Sequence, residues 1–188
     1  MTYAQIKQLA LRQLDEDPHD MDEYSDLLGA YVNEGYQIAV DDHLRPRELF
    51  RVKTNADGDA DISSLNLRYI VSVQDAVHRY QVWGTQDALG QTLHTGRKLA
   101  ELDIVGIVSK PALEDENDEP QIPTWAHGAL ADYACWRFLS NGNPAKQAKG
   151  NVYYGRFAQQ MQRIEPQAMR SVTGYKNLYA VTDARWTR

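Results

Sequence analysis

The sequence predicts an α+β protein, mainly α: an antiparallel helical bundle with a small antiparallel β-sheet inserted between its N- and C-terminal helical pairs, plus an extended C-terminal arm. Apolar residues near both ends recur every three or four positions, the period of an amphipathic helix. From about residue 48 to residue 110 the period is nearer two, as in short strands. With 188 residues, of which 43% are hydrophobic, the chain can bury a globular core. We expect one domain over residues 1–165 and an arm over residues 166–188.

Two helices are predicted at the N-terminal end, over residues 2–14 and 20–40. Thr2 can cap the first helix, and the acidic stretch 15–20 separates it from the second. Acidic residues crowd the first turn of the second helix, where they suit the helix dipole. The pair Arg45-Pro46 ends this helical region.

The β insertion is predicted over residues 48–110 as one sheet of four to six short strands. Its turns carry Asn, Asp and Gly, most clearly in the stretch 55–61. Alternating apolar positions define the strands: Phe50, Val52 and Thr54; Tyr69, Val71 and Val73; Tyr80, Val82 and Leu93; and Leu102, Ile104, Ile107 and Val108.

The clearest helical pattern follows an acidic linker and predicts helices over residues 124–140 and 144–164. Asn141-Gly142 ends the first of them, and Asn143-Pro144 begins the second, because Asn caps and proline fits a first turn. Pro166 is expected to close the second helix. The apolar stripes of the two helices are Trp125, Ala129, Tyr133, Trp136 and Leu139, and Ala145, Ala148, Val152, Tyr153, Phe157, Met161 and Ile164.

The C-terminal stretch has no helical or strand period, yet it is too apolar for a solvated end. Its apolar side chains are Met169, Val172, Tyr175, Leu178, Tyr179, Val181 and Trp186. Such a segment either folds back onto its own domain or docks on a neighbouring molecule. We expect the second, because the helices and the sheet already account for their own apolar faces.

The net charge of −6 hides a strong asymmetry. Residues 1–120 carry 23 acidic side chains against 11 Lys or Arg, whereas residues 121–188 carry 3 against 9. A basic end is compatible with nucleic acid, but these charges are dispersed, and a pI near 5.3 argues against a dedicated DNA-binding protein. An acidic surface on a neighbouring copy explains the asymmetry equally well.

No motif of nucleotide, acyl or metal-hydrolase chemistry occurs in the sequence. The lone Cys135 lies within a helical stripe and is expected to be a buried structural thiol, and His127 is expected to cap or pack. Asp57, Asp59 and Asp61 have the rhythm of a calcium loop, but Arg68 stands where the loop needs Glu. We therefore expect a solvated turn there, no catalytic residue, no metal and no cofactor.

Neither a membrane-spanning apolar run nor a signal peptide is visible. The expected location is thus a reducing cytoplasm or a destination reached without Sec export.

Several local motifs occur in a fixed order in the second half of the chain. They are Pro120-Gln121-Ile122-Pro123, His127, Asp132-Tyr133-Ala134, Gly142-Asn143-Pro144-Ala145, Tyr153 and Phe157, and Gly174-Tyr175-Lys176-Asn177-Leu178 before a final Thr187-Arg188. With the helical pair and β insertion before them, this layout resembles the head-to-tail adaptor (connector) proteins of tailed bacteriophages and the related tail tubular A proteins of short-tailed phages.

The resemblance implies a structural virion protein and no enzyme. Its relatives form a ring, usually of twelve copies, between the portal and the tail nozzle or tail tube, and genomic DNA passes through the channel without specific readout. It places this chain at the head-tail junction of the virion, and in the host cytoplasm during assembly. No membrane is involved.

Carried to this sequence, the resemblance suggests two interaction sites. The ring contact would use Lys149, Tyr153, Arg156, Phe157 and Gln160 on the last helix. Docking to the portal or a neighbour would use Met169, Val172, Tyr175, Leu178, Tyr179, Arg185, Trp186 and Arg188. The alternatives are a cytoplasmic nucleic-acid or regulatory binding module, or an enzyme with an unrecognised site.

Overall fold

A computed structural model describes residues 1–14 and 21–171, and the chain divides into two compact units. The β unit is Arg45–Ser109, and the helical unit comprises Met1–Leu44 together with the chain from Lys110 onward. Each unit has its own buried apolar cluster. The predicted α+β class is confirmed. The insertion is a compact unit with a core of its own.

The helical unit contains four α-helices within its described residues. They are α1 (Tyr3–Gln13), α2 (Met21–Ile38), α3 (His127–Ser140) and α4 (Pro144–Ser171). A π-helical turn, Ala39–Leu44, continues α2, and a 3₁₀ turn precedes α3. No described helix is both long and apolar enough to span a membrane.

Local capping chemistry sets the helix starts that the sequence predicted. Thr2 Oγ1 accepts the backbone N–H of Gln5 at 3.4 Å, and the Gln5 side chain accepts the Thr2 N–H at 3.1 Å, a capping box. Asn143 Oδ1 likewise accepts the N–H of Lys146 at 3.0 Å at the start of α4. Both helix ends around the corner between α3 and α4 are therefore confirmed.

The last helix is longer than predicted. Helix α4 runs to Ser171, so Pro166 does not end it, and Met169 lies in its last turns rather than in an extended arm. The residues after the proline, Gln-Ala-Met-Arg, are good helix formers, which favours continuation of the helix.

The helical core lies where α3 and α4 pack against each other and against the first two helices. On α4 the buried side chains are Tyr153, Phe157, Met161 and Ile164. Ala145 and Ala148 are exposed, and so is Val152 at 57%, which corrects their predicted place in the buried stripe. On α3, Trp125 is also exposed, because it precedes the helix proper.

Six strands form two small antiparallel sheets in the β unit, which corrects the prediction of a single sheet. The first sheet has the order β1-β6-β3 and the second has β2-β5-β4. Both sheets contribute to one core. The strands are β1 (Arg47–Lys53), β2 (Asp59–Asp61), β3 (Leu67–Asp75), β4 (Thr85–Gln86), β5 (Thr92–His94) and β6 (Glu101–Val108).

Irregular pairing between β3 and β6 changes which side chains of β3 face the core, so the predicted buried face of β3 is wrong. The register between β3 and β6 shifts between Leu67 and Tyr69, and again between Ile70 and Ser72. Each extra residue reverses which side chains face inward. As a result Tyr69 and Val71 are exposed, and only Val73 of the predicted set is buried.

Candidate interaction surfaces

A concave apolar surface lies on the helical unit between the end of α2, α3 and α4. Its volume is about 260 Å³. We call it the aromatic groove; it is lined by Ile38, His43, Tyr133, Trp136, Tyr154, Phe157, Ala158 and Gln162.

The rings of the groove form a contiguous cluster. The ring centroids of Tyr133 and Phe157 are 4.9 Å apart, and those of Trp136 and Tyr154 are 4.6 Å apart. The Tyr133 hydroxyl donates to Glu34 Oε1 at 2.9 Å, and Arg137 Nε donates to Glu34 Oε2 at 2.9 Å. Burial, followed by the nearby Glu34 carboxylate, raises the pKa of Tyr133. The groove floor is therefore held rigidly, whereas Tyr154 stays 45% exposed at the rim.

A second surface of α4 is basic. From Pro144 to Ile164 the helix carries four cations and no acid, and all four cations are exposed: Lys146, Lys149, Arg156 and Arg163. Lys149, Arg156 and Arg163 are spaced by seven residues, which keeps them in one row. Exposed Val152 lies within about 60° of that row at 100° per residue. We call this the basic flank.

The basic flank and the aromatic groove lie on opposite sides of α4. Arg156 and Ala158 are about 160° apart around a helix that turns 100° per residue. The buried side chains of Phe157 and Met161 lie between these two surfaces. One helix thus presents an apolar flank and a cationic flank.

The acidic linker is an ordered loop, which the sequence did not predict. The carbonyls of Asp118 and Glu116 accept the N–H groups of Tyr3 and Ala4 at 2.8 and 3.1 Å, so the loop caps α1. Buried Lys7 pairs with Glu116 at 2.5 Å. Asp118 Oδ2 accepts the N–H groups of Glu114 and Asp115, which lowers the Asp118 pKa. We call residues 114–119 the acidic loop. Its exposed acids are Glu114, Asp115, Glu116 and Glu119.

The five side chains predicted for a ring contact do not share one surface. Tyr153 and Phe157 are buried in the chain's own core, where the Tyr153 hydroxyl donates to the Gln13 carbonyl at 2.7 Å. Lys149 and Arg156 are exposed, and Gln160 is half-buried. Lys149 and Arg156 therefore remain candidates for the ring contact, and the buried Tyr153 and Phe157 do not.

The predicted docking residues fall mostly outside the described residues. Met169 is within α4. The other seven lie outside the described residues: Val172, Tyr175, Leu178, Tyr179, Arg185, Trp186 and Arg188.

Asp132 is a buried carboxyl group on α3. It is 9% exposed, and its Oδ1 has no hydrogen-bond partner, as is also true of Gln160 Oε1. Burial raises the Asp132 pKa, against the opposing attraction of Arg156 and a hydrogen bond from the Gln13 side chain. Desolvation of the charged form therefore outweighs the neighbouring cation at this position.

Cys135 and His127 occupy structural positions. The Cys135 thiol donates to the Ala10 carbonyl at 3.3 Å, and burial raises its pKa to about 12. His127 is 1% exposed, its Nε2 lies 3.1 Å from the Ile122 carbonyl, and its Nδ1 lies 2.9 Å from the Met1 nitrogen. The predictions of a buried thiol and a packing histidine are confirmed.

In the acidic triplet of the β unit, Asp57 lies in the turn before β2, and Asp59 and Asp61 are the first and last residues of that strand. Asn55 Oδ1 accepts the N–H groups of Asp57 and Asp59 at 2.9 Å, Asp59 pairs with His94 at 3.0 Å, and Asp61 accepts both Ser63 donors. Within residues 1–14 and 21–171, no group of three or more His, Cys, Asp or Glu side chains could hold a metal ion.

The β unit exposes large apolar side chains that its own core does not cover. They are Leu49, Tyr69, Val71, Val77, Tyr80, Trp83 and Leu89. Trp83 is 82% exposed.

The sequence matches no protein-family model and no curated protein.

Proposed function

We propose that this chain is the subunit of an adaptor ring between the portal and the tail of a tailed bacteriophage. The observation that carries the proposal is a pair of complementary surfaces on the helical unit, the basic flank of α4 and the acidic loop. A cyclic ring needs two different, complementary surfaces on every subunit, because each copy contacts its neighbours head to tail. The order of helices, β unit and last helical pair is consistent with the resemblance that the sequence bears to such adaptors.

In this proposal the helical unit is an antiparallel bundle, and its basic flank faces the acidic loop of the next copy. Lys149 and Arg156 would lie against Glu114 and Asp115, with Val152 supplying apolar area. Complementary charges guide such contacts and fix their register more than they add affinity. The ring would hold about twelve copies, with genomic DNA passing through its channel.

The C-terminal arm is the proposed portal contact. Its aromatic and basic side chains, Tyr175, Tyr179, Trp186 and Arg188, are of the types that dominate interface energies. Capture of the arm by the portal would favour ring formation at that site, because captured subunits face one another at a high effective concentration.

Electron microscopy of the purified protein mixed with the portal protein of the same phage tests this function. We expect a ring of added density on the tail-facing side of the portal. Removal of residues 172–188 should abolish that density while helical circular dichroism is retained. Undiminished binding of the truncated chain would argue against the arm, and no ring with the full chain would argue against the adaptor.

The basic flank also favours a second function, binding to a nucleic-acid backbone. Four cations without an acid over residues 144–164 are sufficient for phosphate contacts. A binding module of this kind would hold duplex DNA as a free monomer, with an affinity that falls steeply with salt. An adaptor should show little such binding, so fluorescence anisotropy at two salt concentrations separates the two functions.

A further inference from the structure

The aromatic groove has room for more than its own side chains. Its volume of about 260 Å³ exceeds the roughly 150 Å³ of an apolar cavity that holds benzene. The rim residue Tyr154 is 45% exposed although its ring packs on Trp136. The groove is therefore large enough to receive an aromatic side chain together with an aliphatic one.

The chain itself contains a segment with aromatic and aliphatic side chains of the kind that the groove could receive. Residues 172–188 follow directly on α4 and contain Tyr175, Leu178, Tyr179 and Trp186. They also carry three cations and one acid. The π-helical turn beside the groove contributes His43 to the lining and has exposed Asp42 next to it. The apolar surface of the groove thus matches the apolar side chains of the segment.

Lengths along α4 fix which part of the segment meets the groove. From Phe157 to Ser171 the helix rises 14 residues, about 21 Å at 1.5 Å per residue. An extended chain that turns back after Ser171 covers this distance in about six or seven residues at 3.3 Å each. With about two residues taken up by the turn itself, it would bring Leu178 between Phe157 and Gln162, and Tyr179 level with Ala158. These two apolar positions of the segment therefore reach the groove.

We propose that the aromatic groove binds residues 172–188 of the same chain, with Leu178 and Tyr179 lying along it. The tether makes the segment's effective concentration about millimolar, which favours its own groove over that of another free copy. The free subunit thereby keeps its arm on its own surface. This inference does not rest on the adaptor function; it holds for any role of the free chain.

Disulfide trapping in the full-length protein tests the proposal. The double variant Ala158→Cys with Leu178→Cys places one thiol in the groove and one in the segment. Its matched control is Arg163→Cys with Leu178→Cys, since Arg163 is exposed on the opposite side of α4 and lies closer than Ala158 to the start of the tether, so random encounter would favour the control pair. Native Cys135 is buried with a raised pKa and does not compete.

We expect mild oxidation to form an intramolecular disulfide at least tenfold faster in the groove pair than in the control pair, independently of protein concentration. Equal rates would mean random encounter and would overturn the proposal. Faster formation of disulfide-linked dimers than of monomers would assign the groove to a neighbouring copy and would overturn it as well. Unchanged circular dichroism of each reduced variant excludes misfolding as the cause.

Discussion

At the scale of single residues, the burial of Asp132 makes the free energy of unfolding depend on pH. Burial raises the pKa of Asp132 above the ordinary 3.8. Between pH 3.8 and this raised pKa, the folded chain therefore binds more protons than the unfolded chain. The free energy of unfolding therefore falls as pH rises through that window. The penalty is complete above the folded pKa and absent below about pH 4.

Asp132→Asn should remove this penalty. We expect the free energy of unfolding to rise by about 1 kcal/mol at pH 7, because a buried charge is replaced by a neutral amide, and to match the parent protein near pH 3. Urea titrations at the two pH values measure the difference. Asp118→Asn is the control of opposite sign: hydrogen bonds lower the Asp118 pKa, so this variant should lose stability at pH 7, and the loss should shrink as the pH falls below 3.8. Destabilisation by Asp132→Asn at pH 7 would refute the explanation.

Cys135 gives a second prediction at this scale. With a pKa raised to about 12, its thiol has almost no thiolate at pH 8, and its burial blocks access. We expect iodoacetamide to leave it unmodified in the folded protein and to alkylate it fully in 6 M guanidinium, as measured by mass spectrometry. Rapid alkylation without denaturant would show that α3 opens readily.

At the scale of an element, two glycines on helices differ sharply in their surroundings. A Cβ on Gly35 would lie 2.9 Å from ring atoms of Tyr133, whereas a Cβ on Gly155 would meet nothing within 4 Å. Gly35→Ala should cost about 1–3 kcal/mol, because α2 and α3 must separate. Gly155→Ala should gain about 0.5–1 kcal/mol from helix propensity. Chemical denaturation measures both, and equal effects would contradict the close approach of the helices.

An element could be predicted from the sequence where the contacts that determine it lie close together along the chain. Thr2 and Asn143 cap helices through contacts three residues away, so the local sequence was sufficient to predict both helix starts. The bulges of β3 depend on its pairing with β6, and no period in the sequence reports them. Continuation of α4 past Pro166 likewise overrides a strong local stop signal.

The candidate surfaces show the same limit. Tyr153 and Phe157 fit an interface by residue type, but the packing of α3 on α4 buries them. The acidic loop is ordered because its carbonyls cap α1 through contacts more than 100 residues apart in sequence, which no local pattern reports. The basic flank, in contrast, follows from helical spacing alone.

Charge reversal tests the basic flank within its element. The double variant Lys149→Glu with Arg156→Glu should prevent the ring from forming on the portal, because like charges would face the neighbour's acidic loop. Lys98→Glu, at an exposed cation of the β unit, is the matched control and should leave the ring intact. Particle counts by electron microscopy give the readout. Normal rings from the double variant would exclude the basic flank as a contact.

At the scale of the whole molecule, two separate cores make the β unit removable. The buried clusters of the two units share no residue. The entry and exit of the β unit are adjacent, since the Val108 N–H donates to the Pro46 carbonyl at 3.1 Å. A short linker can therefore replace the unit without stretching the chain.

Replacing residues 46–109 by Gly-Ser-Gly should leave a helical protein that unfolds in one cooperative transition, because every member of the helical core is retained. Circular dichroism and calorimetry measure this. Deletion of Glu101–Val108 alone is the control: it removes the central strand of the first sheet, leaves β1 and β3 with unpaired edges and should cause aggregation. Loss of the cooperative transition in the first variant would show that the helical core needs the β unit to fold.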